Sequence, residues 1–130
     1  MIVVDASAIM EVLLNTPAAA RIAKRLFTPR QTLYAPHLLD LEVAHVLRRY
    51  WLMGDLSPDK GLEALHDLAD FPLTRYPHDL FLPRIWELRE NFTAYDAAYL
   101  ALAESLHAPL VTRDKALASS SGHTAIVELI

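Results

Sequence analysis

What most narrows the folds open to this chain is an alternation: short apolar, β-branched runs recur along it, and each is followed by a longer stretch of helical periodicity. Ile2 to Val4 reads as a buried strand leading through Asp5-Ala6-Ser7 into a helix near Ala6 to Leu14. After the break at Asn15-Thr16-Pro17, Ala18 to Phe27 is helical and stops before Thr28-Pro29. Leu33-Tyr34-Ala35 is a second strand that Pro36 ends. Leu38 to Trp51 is a long helix with Leu39, Val43, Val46, Leu47 and Tyr50 on its apolar face, closed by Gly54. Ser57-Pro58, an N-cap followed by proline in the first turn, opens a helix to about Ala69. Phe71 to Tyr76 is a weaker strand, and Asp79 to Glu90 a helix in which Pro83 falls early enough to be tolerated. Thr93 starts a helix to about Leu106. Leu110-Val111-Thr112 is a strand, Asp114 to Ala118 a helical turn and Ala125 to Leu129 a last strand. Such a βαβα order predicts an α/β fold, a mostly parallel sheet covered on both faces with right-handed crossovers. Ligand sites in such sheets lie beyond the carboxyl ends of the strands.

At 130 residues and 53% apolar composition, residues 1–130 are expected to form a single domain around one core. No uninterrupted apolar run approaches the length of a membrane span, so no membrane association is expected. Met1-Ile2-Val3-Val4-Asp5 carries no basic leader and no cleavage site, and with no cysteine the expected compartment is the cytoplasm. Three glycines are too few for a phosphate-cradling loop, which makes nucleotide cofactors an unfavoured class. The formal charge of −4 gives no overall pull toward a polyanion. Phosphate contacts need only local clusters, and Lys24/Arg25 and Arg48/Arg49 are the candidate pairs, each with a solvated helix face as its plainer explanation.

Four carboxylates are the candidate functional groups, and each has a structural alternative. Asp5 follows the first strand, where it can cap the next helix or serve a site at the sheet edge. Ser7 can cap that helix or hydrogen-bond the site. Glu42 interrupts an apolar helix face between Leu38 and Val46, either facing water or facing a ligand; Asp40 is its rival, pointing elsewhere around the helix. Asp96 sits in Thr93-Ala94-Tyr95-Asp96, which has the form of a capping box, yet the next residues of the helix are unusually apolar and would turn a carboxylate toward the sheet. Asp114 follows the strand Leu110-Val111-Thr112, where a turn or cap is as good an account as a site. Two of these acids follow parallel strands and two lie in early turns of helices packing beside those strands, so they converge. Crowded carboxylates repel and raise one another's pKa, a cost that a hard divalent cation, magnesium or manganese, removes.

Val3-Val4-Asp5-Ala6-Ser7, Pro36 with Leu39-Asp40-Leu41-Glu42-Val43, the run Thr93 to Ala103 and Leu110-Val111-Thr112-Arg113-Asp114 resemble the four sequence blocks of PIN domains, in the family's order. The third block is the most specific. The blocks span nearly the whole chain, and its shortness is more similar to the VapC-type toxins of type II toxin–antitoxin systems than to PIN modules of larger enzymes. The resemblance implies a PIN-like three-layer α/β/α fold with a central sheet of four to five strands, endoribonuclease activity, and Mg2+ or Mn2+ at Asp5, Glu42, Asp96 and Asp114. It implies supporting polar roles for Ser7 and Thr112, and a homodimer held inactive by a small VapB-like antitoxin. The chain departs from many relatives in having Lys115 and Ala116, not an acid, directly after Asp114, which implies a weak or absent second metal.

The expected chemistry is hydrolysis of an RNA phosphodiester by metal-activated water. No cysteine nucleophile, Ser-His-Asp set or histidine pair at ligand spacing competes with it, and His37 and His45, the histidines nearest Glu42, are expected at the surface. RNA specificity is expected from basic and aromatic residues around the groove, such as Arg48, Arg49, Trp51 and Trp86. Two other classes are weighed against this reading. A receiver-like magnesium-binding signalling domain also places an acid after its first strand, but Asp55 and Lys115 fit its remaining requirements poorly, since Asp55 follows a helix. A PIN fold that only binds a partner, without catalysis, is the other; retention of all four acids argues against it.

Overall fold

The computed structural model describes residues 1–130. Five strands, β1 (Ile2–Val4), β2 (Leu33–Pro36), β3 (Leu73–Tyr76), β4 (Leu110–Thr112) and β5 (Val127–Leu129), form one sheet in the order β3-β2-β1-β4-β5. Every pairing is parallel: Val3 lies opposite Tyr34 on one side and Leu110 on the other, and Leu110 in turn faces Val127. Ile2, Val3 and Val4 are all buried, as expected of a central strand covered on both faces.

Helices α1 (Ala6–Leu13), α2 (Ala19–Leu26), α3 (Leu38–Leu52) and α4 (Pro58–Ala69) follow β1 and β2; α5 (Leu82–Glu87), α6 (Ala94–Leu106) and α7 (Lys115–Ala118) follow β3 and β4. Successive connections step outward from β1 to β2 to β3 and then reverse, crossing to β4 and β5. With right-handed crossovers, that reversal puts α1–α4 on one face of the sheet and α5–α7 on the other. The packing agrees, because α1 contacts α2, α3 and α4, whereas α6 contacts α5 and lies along β1, β2 and β4. The result is a three-layer α/β/α fold. Seven consecutive residues of α6, Ala97 to Ala103, are buried, and the alanines among them let the helix backbone approach the strands closely.

The signals read from sequence act at the element ends. Ser57 accepts the Lys60 N–H at 3.2 Å at the start of α4, and Gly54 takes the left-handed conformation (φ 82°) that lets the chain turn after α3. One expected element differs. In place of a single helix over 79–90 there is a 3-10 turn, Asp79–Phe81, followed by a short α5. Pro83 has no N–H with which to continue an α-helical turn backward, so the segment before it winds more tightly and the helix starts beside it. No helix is long and apolar enough to cross a membrane.

Candidate functional site

The reversal of strand order lies between β1 and β4. The chain leaves those two strands toward opposite faces, which opens a crevice at their carboxyl ends, the usual ligand position in open α/β sheets. Asp5 emerges there from β1. It is the N-cap of α1, its Oδ1 accepting the Ala8 N–H at 3.3 Å, so capping and a place at the crevice are not alternatives for this residue. Only 7% of Asp5 is exposed, and a carboxylate that deep must be hydrogen-bonded. Ser7 Oγ donates to Oδ1 at 2.6 Å, and the Thr112 hydroxyl, from the end of β4, donates to Oδ2. Ser7 also accepts the Arg113 N–H at 2.9 Å, so its hydroxyl ties β1 to β4 and does not cap α1. Burial pushes the Asp5 carboxyl above its ordinary range; the two hydroxyls pull it back and the charge of Asp114 pushes it further up.

Glu42 projects from α3 beside Tyr99 of α6, whose hydroxyl donates to Oε1 at 2.6 Å. Its carboxyl is raised first by burial and then by the charges of Asp5 and Asp96, against the lowering effect of Tyr99. Burial raises the Tyr99 hydroxyl as well, with Glu42 adding to the effect, so this phenol stays protonated and remains a donor. Thr93 Oγ1 accepts the Asp96 N–H at 3.1 Å and caps α6, but the reciprocal bond of a capping box is not made. The Asp96 carboxylate accepts no hydrogen bond and is half-buried; burial and then the charge of Asp114 raise it. Asp114 is exposed and caps α7 through the Ala116 and Leu117 N–H groups at 2.9 and 3.2 Å, while its own N–H donates to Thr112 Oγ1 at 2.9 Å.

These repulsions close a circuit: Asp5 feels Asp114, Glu42 feels Asp5 and Asp96, and Asp96 feels Asp114. All four acids line one cleft of about 350 Å³, together with Ser7, Met10, Val46 and Tyr99. They share it without being gathered into a ready-made cage, since no three His, Asp or Glu side chains stand close enough to hold an ion between them. Their donor chemistry, oxygen only and with uncompensated negative charge, fits a hard divalent cation.

Several cleft residues lay outside the sequence reading. Glu11, one helical turn beyond Ser7 on α1, lines the cleft and meets Arg113, Nε to Oε1 3.5 Å. Helical spacing from Ser7 is the signal that could have found Glu11. Tyr99, Tyr50 and Arg113 also line the cleft. Other candidates fall elsewhere. Asp40 is held by Arg75 of β3 through contacts of 2.8 and 3.0 Å, which leaves Glu42 as the acid of α3 that faces the site. Arg25 grips Glu128 with two bonds of 2.7 Å and is engaged as a tie between α2 and β5, not as a free phosphate contact. Of Arg48 and Arg49 only Arg49 reaches the cleft, while Arg48 and Trp51 line a groove between α3 and α4. Trp86 on α5 stacks with Arg89 at 4.8 Å and is not part of the cleft. His37 packs against His78 at 5.9 Å, and His78 Nε2 accepts the Leu38 N–H at 3.0 Å at the start of α3. Asp55 is exposed in the turn after α3, away from any strand end, so the arrangement a receiver domain requires is absent.

Residues 2–121 match the family described as PIN domain. The chain is 42% identical to Ribonuclease VapC12 of Mycobacterium tuberculosis over 130 residues, covering 100% of this chain and 99% of that protein. Its fold is similar to the crystal structure of M. tuberculosis VapC20, described as a sarcin-ricin loop cleaving toxin, with a TM-score of 0.71 at 13% identity over 97% of this chain and 98% of the other. It is likewise similar to a chain of a toxin–antitoxin complex from Klebsiella pneumoniae, with a TM-score of 0.64 at 17% identity and 92% of both chains covered.

Proposed function

We propose, from the premise that this chain belongs to the PIN domain family and to the VapC ribonucleases within it, that it is an endoribonuclease acting as the toxin of a toxin–antitoxin pair. The observation that carries the proposal is the convergence of Asp5, Glu42, Asp96 and Asp114 on one cleft at the point where the strand order reverses. These four are proposed as the catalytic and metal-holding residues, with Ser7 and Thr112 in support. A divalent cation held there, Mg2+ or Mn2+, would supply a water of lowered pKa and neutralise charge on the scissile phosphate.

The residues of the chain do the positioning. Ser7 and Thr112 fix both oxygens of Asp5 and bind the ends of β1 and β4 to one another. Tyr99 fixes one oxygen of Glu42, leaving the other free. Asp96, with neither oxygen hydrogen-bonded, has both available to a ligand. Arg49 on the cleft wall, which pairs with no acid, is placed to meet phosphate oxygens, which an acidic cleft would otherwise repel, whereas Arg113 is held by Glu11 and the Ile130 carbonyl. In the same reading residues 1–130 are a single domain that works as a homodimer in the cytoplasm, restrained by a small VapB-like antitoxin.

The test is cleavage of RNA by wild-type, Asp5→Asn and Asp96→Asn proteins from matched preparations, with Mg2+ or Mn2+ and with chelator. Cleavage by the wild type alone, abolished by chelator, is the expected result. Equal, chelator-insensitive cleavage by all three would refute the assignment.

A further inference from the structure

Beside the acidic cleft, on the other side of Glu42, runs a second furrow of about 580 Å³ that the proposed metal chemistry does not employ. The two cavities are continuous, because Glu42, Val46 and Arg49 line both. One wall is a single stripe of α3, since Leu38, Glu42, His45, Val46 and Arg49 recur at helical spacing. The other wall is Tyr95, in the first turn of α6 and directly before Asp96.

Tyr95 is unusual for a residue so near the site. Its side chain is 65% exposed, makes no hydrogen bond and packs in no aromatic pair, whereas Tyr99, one turn further along the same helix face, is buried with its hydroxyl committed to Glu42. Leu41, 76% exposed, adds a second uncovered apolar surface on the α3 side. Arg49 makes no ion pair with any acid of the cleft, and its guanidinium lies 5.9 Å from the Tyr50 ring at the junction of the two cavities. The furrow therefore offers a free aromatic face, an aliphatic floor, an imidazole and an uncommitted cation, all adjoining the carboxylates.

We infer that this furrow holds the nucleobase of a nucleotide next to the scissile phosphate, stacked on Tyr95 over Val46 and Leu41, with Arg49 taking the intervening phosphate and His45 facing the edge of the base. The inference rests on the ribonuclease reading of the cleft and adds a base-holding subsite to it. A base can lie on Tyr95 only when it is unpaired and turned out of its own stack. An aromatic face contributes to binding any base, and base identity is read by the polar groups at the edge, here His45.

The experiment uses a short 5′-fluorescent single-stranded RNA that the wild type cleaves at one position, and a set of the same RNA with one base at a time removed to leave the ribose. Tyr95→Ala is expected to lower kcat/KM roughly 5- to 150-fold, the span for loss of one base–aromatic stack, and Tyr95→Phe, which keeps the aromatic face, to recover most of that loss. Removing the base adjacent to the cut should cost the wild type a similar factor and cost Tyr95→Ala little, because the two changes delete the same contact. Anisotropy binding of the intact RNA to Asp96→Asn and to Asp96→Asn/Tyr95→Ala provides a readout independent of cleavage, and should show the same loss. Equal affinity of these two proteins, or equal additive loss for every RNA in the base-deleted set, would overturn the inference while leaving the catalytic reading intact. Cleavage that survives Asp96→Asn would overturn the catalytic reading instead, with the binding comparison still deciding the role of Tyr95.

Discussion

Replacing Thr112 by valine keeps the shape of a wholly buried side chain, 0% exposed, and deletes one oxygen. That oxygen has two partners: it donates to Asp5 Oδ2 and accepts the Asp114 N–H at 2.9 Å. A hydrogen bond to a charged group is worth about 1.5–3 kcal/mol, and leaving a part-buried N–H unpaired costs about 1 kcal/mol more, so the substitution should destabilise by roughly 3 kcal/mol at neutral pH. With an unfolding entropy of ~2.1 cal/mol/K per residue, that corresponds to a Tm about 10 °C lower. The pH dependence has a definite sign. The Asp5 pKa is already raised above 3.8 in the folded protein, and the Thr112 bond lowers it; without that bond it rises further. A raised folded pKa means that the folded state holds the proton more tightly, so stability falls as pH rises from the unfolded value through the folded one. The deficit of Thr112→Val should accordingly be smaller below the unfolded pKa and reach its full size above the folded one. Urea unfolding of wild type, Thr112→Val and Thr112→Ser across that range measures it, with serine restoring the hydroxyl and most of the stability. A deficit under ~0.5 kcal/mol, or one that shrinks as pH rises, would refute the claim that Thr112 holds the Asp5 carboxylate.

The acidic cleft yields further expectations. In metal-free buffer Asp96→Asn should unfold at higher denaturant than wild type, by an amount that grows as pH rises above 3.8, because the raised Asp96 carboxyl weakens the fold only when ionised; the same variant should lose cleavage by roughly 100-fold or more. Titration with Mn2+ to about 100 times its dissociation constant should stabilise the wild type by about 2.7 kcal/mol, raising Tm by roughly 10 °C, and differential scanning fluorimetry should find this rise much reduced in Asp5→Asn. His78→Ala should cost about 1 kcal/mol by removing the acceptor of the Leu38 N–H, read as a fall in the urea midpoint.

The strands and the main helices were legible because each carries its own punctuation: Ser57-Pro58 opens α4, Gly54 ends the turn after α3, and the β-branched run Ile2–Val4 is too short and too apolar for a surface helix. The positions of Asp5 and Asp114 at the sheet edge were legible for a related reason. In a parallel sheet a residue directly after a strand lies at the carboxyl edge, whatever the helices do, so Asp5 and Asp114 could be placed from the chain alone. The apolar surroundings of Glu42 favoured it over Asp40 from sequence, and Glu42 is the one that lines the cleft. The partner that draws Asp40 aside, Arg75, far away in sequence on β3, was not legible in this way. Glu128 likewise commits Arg25, and no local pattern announces either pairing. Glu11 escaped because a lone acid at the end of a helical turn is an ordinary surface residue until Arg113 and the Thr16 hydroxyl are brought to it.

The strand order explains why a chain with such a cleft can still fold. Asp5, Glu42 and Asp96, each raised by burial and by the charge of a neighbouring acid, are a standing penalty, and the elements bearing them would separate if each were held only by its neighbours in sequence. They are anchored instead in the most buried parts of the molecule: Asp5 follows three core residues of β1, Thr112 and Asp114 close β4, and Asp96 opens a helix whose next seven residues are all buried. Glu42 is followed by fully buried Val43 on α3. Repulsion at the carboxyl edge is therefore resisted by the whole core, and the cleft is kept charged and ready at the expense of stability the core can spare. A substitution in the buried core of α6 and outside the cleft lining, such as Leu100→Asp, should then abolish the site together with the fold, whereas neutralising Asp96, whose carboxylate accepts no hydrogen bond, should abolish activity and strengthen the fold.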